Sequence, residues 1–235
     1  MRNPRQRWRT LAWSGLVCAT LATQALAGGD APPAPTAASL EARAAAATPD
    51  PAHGRILYLK HCVSCHGAHA WGDGPREIPT LAGQWESYLR AALARFATGE
   101  RAGLPEHGAA MHETLQPPDV DRPQALADLS AWLATAPRNP DPEHAAGSAH
   151  GGGAAYARLC APCHGADGAG NAREPVPAIG GQHYSYLLGE LEAIAAGTRR
   201  HPRPAGGGKL GDGDRAPVAA YAARLTWLTA RDAGR

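Results

Sequence analysis

An all-α chain built from two tandem copies of one helical unit is predicted by three observations. Apolar residues fall at helical rather than alternating spacing, a C-x-x-C-H motif occurs twice, and the residues around it recur at a fixed offset. The 235 residues suffice for one large domain or two small ones, and a formal net charge of +2 gives no support to a nucleic-acid partner. Hydrophobic residues reach 44%, but much of this is Ala, with a single Phe and 6% aromatic residues. Two cores made of protein alone would be thin, so a bulky buried group is expected to help fill them.

The chain opens with several arginines, a short apolar run and then Ala25-Leu26-Ala27. This is the layout of an export signal over residues 1–27 with cleavage after Ala27; a retained anchor is the alternative. Cys18 lies inside the apolar run and leaves with the signal. Residues 28–48 are rich in Ala and Pro and are expected to be a flexible leader, in which SLEARAAAA could form a short helix.

Four further cysteines lie in HCVSCHG (Cys62 and Cys65, followed by His66) and LCAPCHG (Cys160 and Cys163, followed by His164). C-x-x-C-H is the attachment signature of a c-type haem: two thiols form thioethers to the porphyrin and the next His ligates iron. C-x-x-C also serves zinc sites and disulfide pairs. Two complete motifs behind an export signal point instead to two covalently bound haem c. The motifs are 98 residues apart, and at that offset Gly54 matches Gly152, Tyr58 matches Tyr156 and Pro79 matches Pro177. LAGQWESYL (81–89) likewise matches IGGQHYSYL (179–187). From Gly54 to Met111 this alignment is read without a gap, as an internal duplication.

Each element follows from local chemistry. PAHGRILYLKHC opens with helix-start residues and sets Ile56, Leu57 and Leu59 among polar ones, a helix that delivers its cysteines at the far end. WESYLRAALARFATG carries Tyr88, Leu89, Ala92, Leu93 and Phe96 at helical spacing and stops at Gly99. RPQALADLSAWLATAP is a third helix, with Pro123 in its first turn and its end before Pro137. In the second copy RAPVAAYAARLTWL takes this role after a shortened loop, aligning Tyr221 with Trp132. Residues 137–153 hold Pro, Gly and charge without an apolar period, so they are read as a linker between units at 49–136 and 154–235.

These residues resemble a known family. Two C-x-x-C-H motifs, each followed by P-x-[LI]-x-GQ-x3-YL and a helix ending in G-x-R, look like the dihaem cytochromes of the cytochrome c4 family. The resemblance covers nearly all of the chain after the signal. It implies two tandem class I cytochrome c domains, each wrapped around a covalent haem c, with the haems near the domain interface, in a periplasmic electron carrier. It also implies that the first and last helices of each domain cross, bringing Gly54 and Tyr58 against Trp132, and Gly152 and Tyr156 against Tyr221.

A Met opposite the proximal His raises a haem's reduction potential. The family's distal Met follows the G-x-R helix, and Met111, the only Met besides Met1, occupies that place. His107 and His112 share its loop and are expected to be solvated. At the 98-residue offset Met111 matches Lys209, so the second iron has three open arrangements. The neutral amine of Lys209 is the preferred ligand, which requires its pKa to fall well below the usual value of about 10.4. His201 is the runner-up side chain, completing a bis-His site, and His183 is weaker because its counterpart is Trp85. In the third arrangement no side chain binds and the iron is open. His53, His61, His69, His144 and His150 are read as surface residues, and GGGK lacks the glycine spacing and the Ser/Thr of a phosphate-binding loop.

The expected function is single-electron transfer, as a carrier or a subunit, between a quinol-oxidising complex or dehydrogenase and a terminal oxidase or reductase. Membrane contact is expected only through such partners or an uncleaved signal. The alternative is a dihaem enzyme acting on a small sulfur or nitrogen compound at the second haem. No distal Cys and no acid–base constellation near Lys209 supports that alternative.

Overall fold

The computed structural model describes residues 34–101, 104, 107–120, 122–146, 151–202 and 209–226. The export signal and the first part of the expected leader lie outside these residues, as does His150. No helix among the described residues is long and apolar enough to cross a membrane.

In the remainder of the expected leader the short helix considered over SLEARAAAA is present rather than a flexible segment: α1 (Ala37–Ala45) packs into the first core. Thr36 caps it by accepting from the Ser39 N–H, and the Ala37 N–H donates to Glu100 Oε1 at 2.7 Å. Ala37, Leu40 and Ala44 lie three, then four residues apart, so one apolar stripe is buried. That stripe outweighs an Ala/Pro-rich composition.

α2 (Pro51–His61) starts where the sequence predicts, with Pro51 at its first turn and the Asp50 carboxylate accepting from the Ala52 and His53 N–H groups. A four-residue turn of helix, α3 (Val63–His66), carries Cys65 and His66. α4 (Glu86–Ala97) ends at Thr98, followed by Gly99 at φ +73°, the left-handed position that closes many helices. The expected distal loop contains a short helix, α5 (Gly108–Thr114), and α6 (Pro123–Thr135) closes the unit.

In the second unit α7 (Gly152–Leu159), α8 (Ala161–His164), α9 (Tyr184–Ala196) and α10 (Arg215–Ala223) repeat α2, α3, α4 and α6. α7 begins two residues before the expected boundary at 154, because Gly152 is part of its helix crossing. The duplication extends to two isolated bridges, Asp73 with Ile78 and Asn171 with Val176. There is no counterpart of α1 or α5 among the described residues. Among the described residues the second core is built on Tyr156, Leu187, Val218 and several alanines, and the first on Tyr58, Leu115, Leu126 and Leu129, which are almost completely buried.

The crossings follow the expected pattern. A Cβ on Gly54 would lie 2.0 Å from the Asp128 carbonyl oxygen, and one on Gly152 would lie 2.0 Å from that of Pro217. Only glycine lets these backbones approach so closely. One turn further along, Tyr58 meets Trp132 with ring centroids 4.6 Å apart, and Tyr156 meets Tyr221 at 5.3 Å. The closing helices are thus related by 89 positions, against 98 for the haem motifs. The second unit is nine residues shorter between them, and the shortening falls in the segment that should supply a distal ligand.

Candidate haem sites

Each C-x-x-C-H motif sits where one helix ends and a short turn of helix begins. In both copies the first Cys is half-buried and the second exposed, and none of the four is paired in a disulfide. Burial and then the neighbouring Cys65 push the Cys62 thiol up to about 12; burial and Cys163 push Cys160 up to about 11. No group of three or more His, Cys, Asp or Glu among the described residues is arranged to hold a metal ion by itself. The Tyr58 hydroxyl donates to the Gly67 carbonyl at 2.5 Å and that of Tyr156 donates to Gly165 at 2.8 Å, pinning the turn after each His.

His66 and His164 are buried, at 6% and 7% exposure. The Nδ1–H of His66 donates to the Pro79 carbonyl at 3.1 Å, and that of His164 donates to Pro177 at 3.0 Å. A carbonyl can only accept, so the hydrogen is on Nδ1 and Nε2 keeps its lone pair. Burial lowers the pKa of His66 to about 4, against the opposing effect of the Pro79 bond and with help from nearby His107. His164 is lowered for the same first reason, with His201 and Arg199 adding to it. Both are neutral imidazoles presenting a bare nitrogen, the form that ligates iron.

The distal sides differ. Met111, on α5, is half-buried and packs on the first core, which Cys62, Val63 and Trp71 also border. His112, expected to be solvated, is tied down by its Nδ1 donating to the Phe96 carbonyl at 2.7 Å. In the second unit Lys209 is exposed outside any helix, and no hydrogen bond, ion pair or ring contact joins it to His164 among the described residues. His201 does meet His164: the ring centroids are 6.1 Å apart and the planes 22° from parallel. His201, like Lys209, is exposed, yet partial desolvation depresses its pKa, helped by Arg199.

His183 has a different role from the one considered. It is buried, its Nδ1 accepts from the Glu143 N–H at 2.9 Å, and its Nε2–H donates to the Trp71 carbonyl at 2.7 Å. Its counterpart Trp85 donates from Nε1 to the Ala169 carbonyl at 2.5 Å, the same contact seen from the other unit. With both ring nitrogens engaged, His183 is an interface residue. Of the histidines read as surface residues, His53 and His69 are exposed, the one bonding Asp128 and the other stacking on Trp71, whereas His61 is largely buried against Asp119.

Between the units lies a polar cluster that residue spacing did not reveal. Arg101 donates to the Tyr186 hydroxyl and to Glu190, and Arg199 pairs with the same carboxylate. Two guanidiniums therefore face one carboxylate at 9% exposure, and Arg101 Nε is buried without a hydrogen-bond partner among the described residues. Burial would raise the Tyr88 phenol, but the charges and hydrogen bonds of Arg101 and Arg199 bring it down to about 7. Two buried guanidiniums share one carboxylate and Arg101 Nε is left over, a setting that would suit the carboxylates of a haem. Together with paired thiols and a neutral imidazole, this donor set fits haem c.

Two helical units, each closing a C-x-x-C-H motif beneath a buried and oriented His, define a tandem c-type cytochrome. Comparison with known proteins agrees. The family described as "Cytochrome c" matches residues 51–137 and again 149–232. Cytochrome c4 of Azotobacter vinelandii is 30% identical over 173 residues, covering 70% of this chain and 77% of that one. The thiosulfate dehydrogenase electron acceptor of Stutzerimonas stutzeri strain A1501 is 32% identical over 155 residues, covering 60% and 65%. The crystal structure of reduced recombinant cytochrome c4 from Pseudomonas stutzeri superposes with a TM-score of 0.62 at 26% identity, covering 76% of this chain and all of that one. The chain belongs to the cytochrome c family, in its dihaem cytochrome c4 branch, and carries two covalently bound haem c.

Proposed function

We propose that this dihaem electron-transfer protein is a periplasmic one-electron carrier with two unlike irons in series, taking electrons from a respiratory complex or dehydrogenase and passing them to a terminal acceptor. Each haem c supplies a one-electron ferric–ferrous couple. Cys62 and Cys65 would hold the first and Cys160 and Cys163 the second, His66 and His164 would each offer Nε2 to an iron, and Met111 would offer its sulfur to the first.

The observation that carries the asymmetry is the approach of His201 to His164. Two imidazoles ligating one metal from opposite sides have centroids about 6 Å apart, from two metal–nitrogen bonds of about 2 Å and about 1 Å from each nitrogen to its ring centre. The separation of 6.1 Å supports a bis-His site. The register supports it as well: counted back from the closing helix by 89 positions, Met111 corresponds to Arg200, beside His201. Lys209 matches Met111 only if no residues are lost before it.

A closed distal side favours electron transfer over the alternative of small-molecule chemistry at the second iron, which needs an open or displaceable position. The similarity to a protein described as the electron acceptor of thiosulfate dehydrogenase points the same way, to a redox enzyme as donor. The double variant Cys160→Ala, Cys163→Ala is expected to retain one covalent haem per chain, with the Met–iron absorption band intact. Loss of that band with the second haem would overturn the assignment of Met111 to the first unit.

A further inference from the structure

We propose that Gln84 and Gln182 set the two reduction potentials crosswise, each acting on the iron held by the other unit. This rests on the reading of His66 and His164 as proximal iron ligands. The Pro79–Thr80 peptide has both of its polar ends engaged. Its carbonyl accepts from His66 Nδ1 at 3.1 Å, and its N–H, on Thr80, donates to Gln182 Oε1 at 2.9 Å. The Pro177–Ala178 peptide repeats this, with its carbonyl accepting from His164 at 3.0 Å and its N–H donating to Gln84 Oε1 at 2.9 Å.

Each Gln is locked in place by a second bond to the same residue. Gln182 Nε2 donates to the Thr80 carbonyl and Gln84 Nε2 donates to the Ala178 carbonyl, both at 2.9 Å. Oε1 of each also accepts from the next residue's N–H, of His183 or Trp85, which fixes which end of the amide is the oxygen. Gln84 and Gln182 are 8% and 7% exposed, so water competes little for these bonds.

Hydrogen bonds in such a chain polarise one another. Donation by the Thr80 N–H draws density toward the Pro79 oxygen, which becomes a stronger acceptor for His66 Nδ1–H. The imidazole gains basicity, and a more basic ligand favours the ferric state. Gln182 therefore lowers the first iron's potential from the second unit, and Gln84 lowers the second iron's from the first. The GQ pairs thus join two functions, since the same bonds that hold the units together reach both proximal ligands.

The test uses the full-length holoprotein and spectroelectrochemical titration, the first iron being followed by its Met–iron band. Gln182→Met fills similar volume without the acceptor. It is expected to raise the first iron's reduction equilibrium constant about threefold, roughly 30 mV at 59 mV per tenfold, and to move the second far less. Gln84→Met should do the reverse. Gln182→Glu, isosteric and still an acceptor for the Thr80 N–H, should not raise the first potential, and it serves if the Met variant fails to fold. Equal shifts of both irons, a larger shift of the iron in the substituted unit, or no shift with ligation intact would each overturn the proposal. Magnetic spectra of the same samples separate the two readings: if they show that His66 or His164 is not a ligand in the wild type, the ligand assignment has failed and the proposal falls with it.

Discussion

Replacing His201 with Met raises the midpoint potential of the second haem by an amount on the order of 100–200 mV, within the ~0.8 V range that axial ligands span. Nitrogen donors stabilise ferric iron better than thioether, so exchanging imidazole for Met shifts the equilibrium toward ferrous. A second Met–iron band should appear in the oxidised spectrum, doubling the intensity of that set by Met111. The first haem's potential should change little, because its distal helix α5 belongs to the other unit. His201→Ala is expected to leave high-spin ferric iron in half the haem, whereas Lys209→Ala, at an exposed position, leaves both sites as they were. If Lys209→Ala produces the high-spin signal and His201→Ala does not, lysine is the ligand.

Gly54→Ala is expected to cost about 3 kcal/mol, at the upper end of the penalty for overpacking a filled core. The added methyl would lie 2.0 Å from the Asp128 carbonyl oxygen and 2.4 Å from its carbon, so α2 and α6 must separate. Backbone atoms on both sides cannot rotate away as a side chain would. Separation also loosens Asp128, 1% exposed, which accepts from the Asp50 N–H, from His53 and from Gln124, each at 2.7 Å. Against a total stability of 5–15 kcal/mol typical of single domains, this is a large fraction. Urea denaturation of the holoprotein should show it as a lower midpoint, while Gly213→Ala, where a Cβ meets nothing within 4 Å, should leave the midpoint nearly unchanged. Equal effects at the two positions would mean that the crossing is not a tight contact.

Much of the fold was legible because local signals agreed with one another. The Asp50–Pro51 start of α2, the stop at Gly99 and the Pro123 start of α6 all depend on backbone chemistry within a few residues. The helix crossings were legible through duplication, since Gly54 and Gly152 mark the same close approach. What escaped was non-local. The short helix considered over SLEARAAAA is α1, but the α4 and α6 surfaces that receive its apolar stripe lie elsewhere in the chain. The repeated G-x-R marks Arg101 and Arg199, but Glu190 has Ala92 as its counterpart, so spacing does not say that the three meet between the units. The role of His183 as an interface donor was hidden because its counterpart is a Trp, chemically unlike but sharing an N–H.

Lys209 and His201 answer to two different registers of the duplication, and the proposal of His201 rests on the second. One offset, 98, was carried past Arg199 into a segment where the second unit is nine residues shorter. The second offset, 89, was already present in the alignment of Trp132 with Tyr221, and using it from the other end would have pointed at residue 200. The 98 register holds as far as the end of α9, and counting back from α10 by 89 places the counterpart of Met111 at Arg200.

The central claim is that the two halves of a duplicated protein hold their irons differently, His66 with Met111 and His164 with His201. Low-temperature magnetic spectroscopy of the fully oxidised wild-type protein tests this most directly. The expected result is two low-spin ferric species in equal amounts, one His/Met and one bis-His, with no high-spin component. A His/Met species paired with a lysine-ligated or high-spin species, or two identical species, would contradict it.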